Sequence, residues 1–208
     1  MISEKTIGRL SAYRRLLNTL AETGETYIYS HQLGSLAGST AAQVRRDLMV
    51  IGCNGSPARG YEVPVLIEAI GDFLDAPQGM GAAMVGSGRL GQAILEYFRG
   101  RRPKLSFSVA FDADESKTGR TIHGCPCHPL ADLPRLIAEK EITVAVLAVP
   151  AREAQAACDA LVRAGVRSVL NFAPVRLRVP KGIHVEDMDM TTALEKAAYF
   201  ARVDESND

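Results

Sequence analysis

Residues Gly86, Ser87, Gly88, Arg89, Leu90 and Gly91 carry the spacing Gly-x-Gly-x-x-Gly, behind the apolar run AAMV and ahead of a stretch with helical periodicity. In that setting each glycine has a separate task. The first permits a tight turn, the second lets backbone approach a pyrophosphate, and the third lets a helix pack closely on a strand. A helix N-terminus behind the turn adds unpaired N–H groups and partial positive charge, which suit phosphate. Asp112 lies 21 residues beyond Gly91 and ends the run VAFD. A carboxylate there accepts hydrogen bonds from ribose hydroxyls and repels a 2′-phosphate, so the pattern favours NAD(H) over NADP(H), with Asp114 as the alternative acid. Two further tracts, Val149-Pro150-Ala151 and Asn171-Phe172-Ala173-Pro174, put small residues and a proline where strands should end. They are assigned to the nicotinamide end of the ligand, because ligands of open parallel sheets lie outside the carboxyl ends of the strands.

Reaction chemistry is harder to find. A hydride-transfer enzyme needs a proton donor or acceptor beside the ring and room for a second substrate. Only 33 residues follow Val175, and none of His31, His123, His128 and His184 stands in an evident arrangement with a carboxylate. Cys125, Cys127 and His128 form one cluster, GCPCHPL, but two thiols one residue apart lack the Cys-x-x-Cys turn of zinc sites. A short buried strand containing Pro126 is the reading adopted, and Cys53 and Cys158 are taken as small buried apolar residues. No catalytic residue and no metal site is assigned.

The elements that must hold these residues alternate from Ala82 onward. Strand-like runs (AAMVG, LSFSVAFD, ITVAVLAVP, RSVLNFAP) are separated by helical ones (RLGQAILEYFRG, LADLPRLIAEKE, REAQAACDALVRAG), with Gly100 and Gly165 placed as left-handed caps. Consecutive rather than alternate apolar residues mark strands buried on both faces, hence βαβ units and a Rossmann-type doubly wound parallel sheet.

Residues before 76 read differently. Ile7, Leu10, Leu16, Leu17 and Leu20 share one helical face that ends at Gly24. Two short helices follow with a tight joint at Gly38; Ser30 is placed to cap the first and Ser39 the second, which turns Val44 and Leu48 inward and Gln43, Arg45 and Arg46 outward. CNGSPARGYEV has the composition of a hairpin loop, and Pro64 can open one more helix at its first position before the linker APQGMG. Helix, turn, helix and hairpin make a winged helix-turn-helix, whose candidate DNA contacts are Ser39, Thr40, Gln43, Arg45, Arg46 and Arg59. Over residues 1–60 seven cationic side chains stand against four carboxylates, a net +3, grouped at the first helix, the recognition helix and the loop tip. A small helical oligomerisation module is the alternative.

The expected domains are therefore 1–76 (winged helix, DNA binding), 80–188 (Rossmann, dinucleotide binding) and 189–208 (a C-terminal helix). In that last helix Asp189 can act as cap, and Leu194, Ala197, Ala198 and Ala201 form a small-residue stripe. The chain has 208 residues and a formal charge of zero, so overall charge selects no partner class. Its first residues carry charges where a signal peptide is apolar, and no run is long enough to span a membrane, so a soluble cytoplasmic protein is expected, with its four cysteines as thiols.

Along almost its whole length the chain resembles the Rex family of redox-sensing transcriptional repressors. The resemblance is carried by TIGRLSAYRRLL, STAAQVRRDL, ARGYEVPVL, MVGSGRLGQAIL, VAFDAD, VPAREAQ, GVRSVLNFAPVRLRVPKGIHVEDMDM and ALEKAAYF. It implies a homodimer whose Rossmann domains bind NAD(H), whose winged helices bind a palindromic double-stranded DNA operator, and whose C-terminal helix is exchanged with the partner. It further implies release from DNA when NADH rises, and a switch in which Asp189 pairs with Arg15 or Tyr97. Two departures stand out. Where the family usually has the aromatic-rich FSYFG the chain has LMVIG, Leu48 to Gly52, and where it has a Lys-Arg pair in the wing the chain has Pro57, Ala58 and Arg59. A small NAD-dependent oxidoreductase and a CoA-binding subunit of a larger assembly are the competing readings.

Overall fold

The computed structural model describes residues 2–102 and 104–203, and the chain divides into two compact units, Met1–Gln78 and Gly79–Asp208. In the first unit α1 (Glu4–Glu22), α2 (Ser30–Leu36), α3 (Ala41–Val50) and α4 (Val63–Leu74) surround one apolar core, and β1 (Tyr27–Ile28) pairs antiparallel with β2 (Tyr61–Glu62). This is the winged helix-turn-helix.

Its core is Leu10, Tyr13 and Leu17 of α1 against Leu33, Val44, Leu48, Leu66 and Ile70, each fully or almost fully buried. Burying one such aliphatic side chain stabilises by about 1.5–3 kcal/mol. Tyr13 belongs to this core although its polar hydroxyl hid it in the pattern, whereas Ile7, expected inward, is 38% exposed. The expected caps each shift by one residue. Ser30 is the first helical residue behind Tyr29, whose N–H is accepted by Gln32, and α3 is capped by Thr40, which accepts from the Gln43 N–H at 3.1 Å, rather than by Ser39. Adjacent hydroxyls can serve equally by type, and backbone geometry chose the residue with extended φ and ψ. Pro64 is the second rather than the first residue of α4. The joint at Gly38 has φ +60°, as a left-handed turn requires. The wing loop closes through two backbone hydrogen bonds between Ser56 and Gly60, both 2.7 Å.

The second unit is a sheet of seven strands in the order β5-β6-β4-β3-β7-β8-β9, where β3 is Met80–Val85, β4 Leu105–Asp112, β5 Thr121–Ile122, β6 Cys125–Pro129, β7 Val144–Leu147, β8 Ser168–Asn171 and β9 His184–Asp187. Six strands are parallel, in the 3-2-1-4-5-6 order of dinucleotide-binding folds, and β5 joins β6 antiparallel at one edge. Both faces are buried. Ala83, Val85 and Val109 pack on one face with the residues of α6 (Leu133–Glu139) and α7 (Ala151–Ala164), and Met84, Ala110 and Val146 on the other with α5 (Arg89–Phe98). Strands β5 and β9 escaped the sequence reading, Met80 and Gly81 are strand rather than linker, and a 3₁₀ turn (Leu130–Asp132) precedes α6.

Gly165 caps α7 at φ +111°, as expected. The final helix, α8, is described over Met190–Val203, and residues 204–208 of the expected helix lie outside the described residues. Among the described residues no helix is long and apolar enough to cross a membrane.

Candidate functional site

Two places collect the residues singled out above. The first is the crevice at the carboxyl ends of β3 and β7, where the chain leaves the sheet in opposite directions. Gly86 has φ +90°, its N–H donates to the Phe111 carbonyl at 2.8 Å, and a Cβ there would strike the carbonyl oxygen of Ala148. A Cβ on Gly91 would strike the carbonyl oxygen of Gly86. A Cβ on Gly88, by contrast, meets no protein atom within 4 Å. Packing within the protein thus demands glycine at 86 and 91 but not at 88, where glycine is the N-cap of α5 and leaves the backbone open to a group approaching from outside. No side chain caps the N-terminus of α5, which starts at the exposed Arg89, while Leu90 packs partly into the core. The arrangement fits a pyrophosphate.

Asp112 sits beneath this loop at 9% exposure. Its Oδ2 accepts from the Ser87 N–H (2.7 Å), the Ser87 hydroxyl (2.6 Å) and Lys117 Nζ (3.2 Å), and its Oδ1 from the Asp114 N–H (2.9 Å). Burial raises the carboxyl's pKa, but the bonds from Ser87, Asp114 and Lys117 outweigh it and hold the group below its ordinary value. Asp112 is therefore first an anchor for the glycine loop, with accepting capacity left at Oδ1. Asp114 itself accepts from the Ser116 N–H and hydroxyl and stays exposed.

The two proline tracts part company. Val149, Pro150 and Ala151 lie at the end of β7 and the start of α7, half-buried to exposed. Asn171, expected to face the ligand, is instead 1% exposed, and its amide is engaged below the surface: Nδ2 donates to the Val175 carbonyl and to Asp187 Oδ1, both at 2.8 Å, and Oδ1 accepts from the Ala173 N–H at 3.0 Å. A buried amide must satisfy its donors and acceptor, and the loop supplied the partners. Asn171 shapes the turn that carries Phe172, Ala173 and Pro174.

Cys125 and Cys127 are buried in the short strand β6, and burial pushes the Cys125 thiol up to about 12. Cys158 is buried too, but Cys53 is only half-buried. Among the described residues no group of His, Cys, Asp and Glu could hold a metal ion.

The second place is α3. Arg45, Arg46 and Arg59 are exposed, as is Thr40, and Arg45 reaches Ser30 Oγ at 3.0 Å. Ser39 is half-buried at the turn, its N–H bonded to the Gly34 carbonyl. The signal missed in the sequence is Asp47. It is 2% exposed and holds Arg9 through Nε (2.6 Å) and Nη2 (2.7 Å), the Tyr13 hydroxyl (3.0 Å) and Gln43 Nε2 (2.8 Å). Arg9 is thus not a free cation for phosphate, and neither is Arg14, whose Nη1 lies 2.8 Å from both oxygens of Asp75. Burial would raise the Asp47 pKa, yet bonds from Arg9, Gln43 and Tyr13 bring it below the ordinary value. Where the family's aromatic segment would fall, Met49 and Val50 are 64% and 50% exposed.

Comparison with known proteins settles the kinship. The "Redox-sensing transcriptional repressor Rex" of Brevibacillus brevis is 36% identical over 199 residues, which are 96% of each chain. The chain belongs to the Rex family. Its members are redox-sensing transcriptional repressors, so the chain is a regulator rather than an enzyme. A Rex repressor of Chloroflexus aurantiacus is 38% identical over 194 residues, 93% of this chain and 92% of that one. The crystal structure of RSP with beta-NAD+ and operator DNA matches with a TM-score of 0.89 at 29% identity over 99% of this chain and 94% of RSP, and RSP with beta-NADH matches at 0.86 over 99% and 96%. A family model described as "Putative DNA-binding protein N-terminus" matches residues 1–48, and one described as "CoA binding domain" matches 80–175.

Of the three residues expected to form a switch, Asp189 caps α8, accepting from the Thr192 N–H (2.8 Å) and hydroxyl (2.6 Å), and Tyr97 lies 55% exposed under the Arg101 guanidinium at 4.1 Å. Arg15 is exposed on α1. Each has local surroundings of its own, and among the described residues no hydrogen bond joins Tyr97 to Asp189.

Proposed function

We propose that this Rex repressor binds palindromic operator DNA through α3 and the wing, reads NAD(H) at the glycine loop, and leaves the operator when NADH rises. The observation that carries the ligand reading is the loop itself: Gly86 and Gly91 are required by protein packing, Gly88 leaves the backbone at the uncapped start of α5 open to a close-lying ligand, and Asp112 locks the loop through Ser87. The match to RSP, a repressor solved with beta-NAD+, beta-NADH and operator DNA, points the same way.

In this reading Ser87, Gly88, Arg89, Leu90 and Gly91 hold the pyrophosphate, Oδ1 of Asp112 takes a ribose hydroxyl, and Val149, Pro150, Ala151, Phe172, Ala173 and Pro174 wall the ring. The dinucleotide supplies a ring that is cationic when oxidised and neutral when reduced. Apolar walls disfavour the cation, because a buried unpaired charge is costly, and so favour NADH. A hundredfold preference would give about 2.7 kcal/mol, enough to shift a balanced two-state dimer though not to invert a 1:99 population, which takes about 5.5 kcal/mol. Thr40, Arg45, Arg46 and Arg59 meet the DNA. Because successive major grooves lie about 34 Å apart, a dimer whose two α3 helices change separation loses its operator.

The homodimer would be closed by α8. Met190, Leu194, Tyr199 and Phe200 are 58%, 72%, 53% and 64% exposed, an apolar surface far beyond what a solvated helix carries, and exchange with a second copy would cover it. Arg15, Tyr97 and Asp189 would then be the switch group between ligand states, in a protein that works in the cytoplasm where its DNA lies.

Fluorescence anisotropy of a labelled palindromic duplex, titrated with NADH, NAD⁺ and CoA at fixed salt, tests this. Release by NADH alone is expected. Equal effects of NADH and NAD⁺, or release by CoA, would overturn it.

A further inference from the structure

We infer that Asp47 and Gln43 form a positioning relay from α1 to Arg46, and that Gln43 is a positioning residue rather than a reader of base edges. The inference rests on the operator-binding reading.

Asp47 is an ionised carboxylate and can only accept hydrogen bonds. Three of its bonds come from α1, two from Arg9 and one from Tyr13, so its place relative to α1 is fixed by the bidentate guanidinium and a phenol. The fourth comes from Gln43 Nε2 at 2.8 Å. That bond dictates the orientation of the amide, since a flipped amide would bring Gln43 Oε1 against a carboxylate oxygen, acceptor against acceptor. The carbonyl end of Gln43 must therefore point away from Asp47, and there it accepts from Arg46 Nη2 at 3.0 Å. One hydrogen-bonded chain runs Arg9, Asp47, Gln43, Arg46, from the interior of the unit to an exposed cation on the recognition helix.

A glutamine that reads adenine offers its amide N–H and its carbonyl together to the N6 and N7 edge. In Gln43 one amide N–H and one carbonyl lone pair are already bonded within the protein, and these two bonds fix the plane of the amide between Asp47 and Arg46, so it is not free to turn its donor and acceptor together onto one base edge. Arg46, by contrast, uses one of its five N–H donors on Gln43 and keeps the rest for a guanine edge. Holding that long side chain in place before DNA arrives reduces the ordering cost on binding, which is how a relay without DNA contact raises operator affinity.

The variant that separates this from a purely structural role is Gln43→Met, which keeps the side chain's length and leaves intact the bond from the Gln43 backbone N–H to Thr40 that caps α3. It is measured by anisotropy on a fluorescein-labelled palindrome selected by the protein from a randomised pool, and on a scrambled duplex, together with Arg46→Ala and the double variant. The expected result is a small fall in thermal midpoint, because Asp47 loses one of its four donors, an operator affinity lower by about tenfold per half-site, unchanged affinity for scrambled DNA with an unchanged salt slope, and no further loss of operator affinity from Gln43→Met in the Arg46→Ala background. Additive losses would show that Gln43 touches DNA itself and overturn the relay, as would an unchanged operator affinity. If the wild-type protein binds no duplex at all, the operator reading falls and the relay's role falls with it.

Discussion

Asp47 and Asp112 are buried carboxylates at the two surfaces that would meet phosphate, one on the inner face of α3 and one under the glycine loop. Each receives four hydrogen bonds, and in each the bonds outweigh burial and lower the pKa. Their donors differ. Asp47 takes a bidentate guanidinium and a phenol from a helix 34 to 38 residues away, so it fixes one helix on another. Asp112 takes an N–H and a hydroxyl from the loop it supports and an N–H from its own turn, with Lys117 as a half-buried addition at 3.2 Å. Removing the first leaves a part-buried cation and a buried phenol without their acceptor. Removing the second leaves the neutral N–H and hydroxyl of the buried Ser87, a neutral turn N–H and a half-buried lysine without their acceptor. The same residue type thus serves the fold of one unit and the shape of a ligand site in the other.

The largest difference should appear in stability. Asp47→Ala is expected to cost the DNA-binding unit about 2–3 kcal/mol, for the lost charge-assisted bonds and the stranded buried Tyr13 hydroxyl, and Asp112→Ala about 1–2 kcal/mol in the dinucleotide unit. Scanning calorimetry that found equal losses would break the comparison.

Ligand binding sharpens it next. Ser87→Ala removes the hydroxyl that ties the loop to Asp112, and NADH affinity measured by titration calorimetry should fall about tenfold, whereas Asp47→Ala should leave it unchanged. An equal fall in both variants would mean that the two anchors are not separate devices.

The smallest effect is in acid. Because both carboxyls titrate lower in the folded chain than in the unfolded one, the unfolded state binds more protons as pH falls, and their contribution to stability is complete above about pH 4 and is lost through the lowered folded pKa. Asp47→Asn should therefore be less stable than the wild type near neutrality but flatten the acid limb of the first unit, read as urea midpoints between about pH 3 and 7. An unchanged limb would show that Asp47 does not govern it.

Much of this was written locally in the sequence. Gly38 and Gly165 follow from left-handed backbone turns and Gly91 from a carbonyl five residues back, the consecutive apolar runs AAMV and VAFD announce strands covered on both faces, and Asp189 caps α8 through a residue three positions on. Short-range sterics and periodicity leave their mark in neighbouring letters, so a single chain suffices to read them. The half-exposed strands β5 and β9 carry no such period, being two and four residues long, and pairing with longer neighbours makes them strands. Where neighbouring residues offered similar groups, as with Ser39 and Thr40, only backbone geometry chose between them. The roles of Asp47, Arg9, Arg14, Ser87 and Asn171 were decided by tertiary structure alone. Charge and hydrogen-bond pairing depend on separations that the fold closes across 16 to 61 residues, and Coulomb attraction and hydrogen bonding act on distance in space, which the order of residues does not contain.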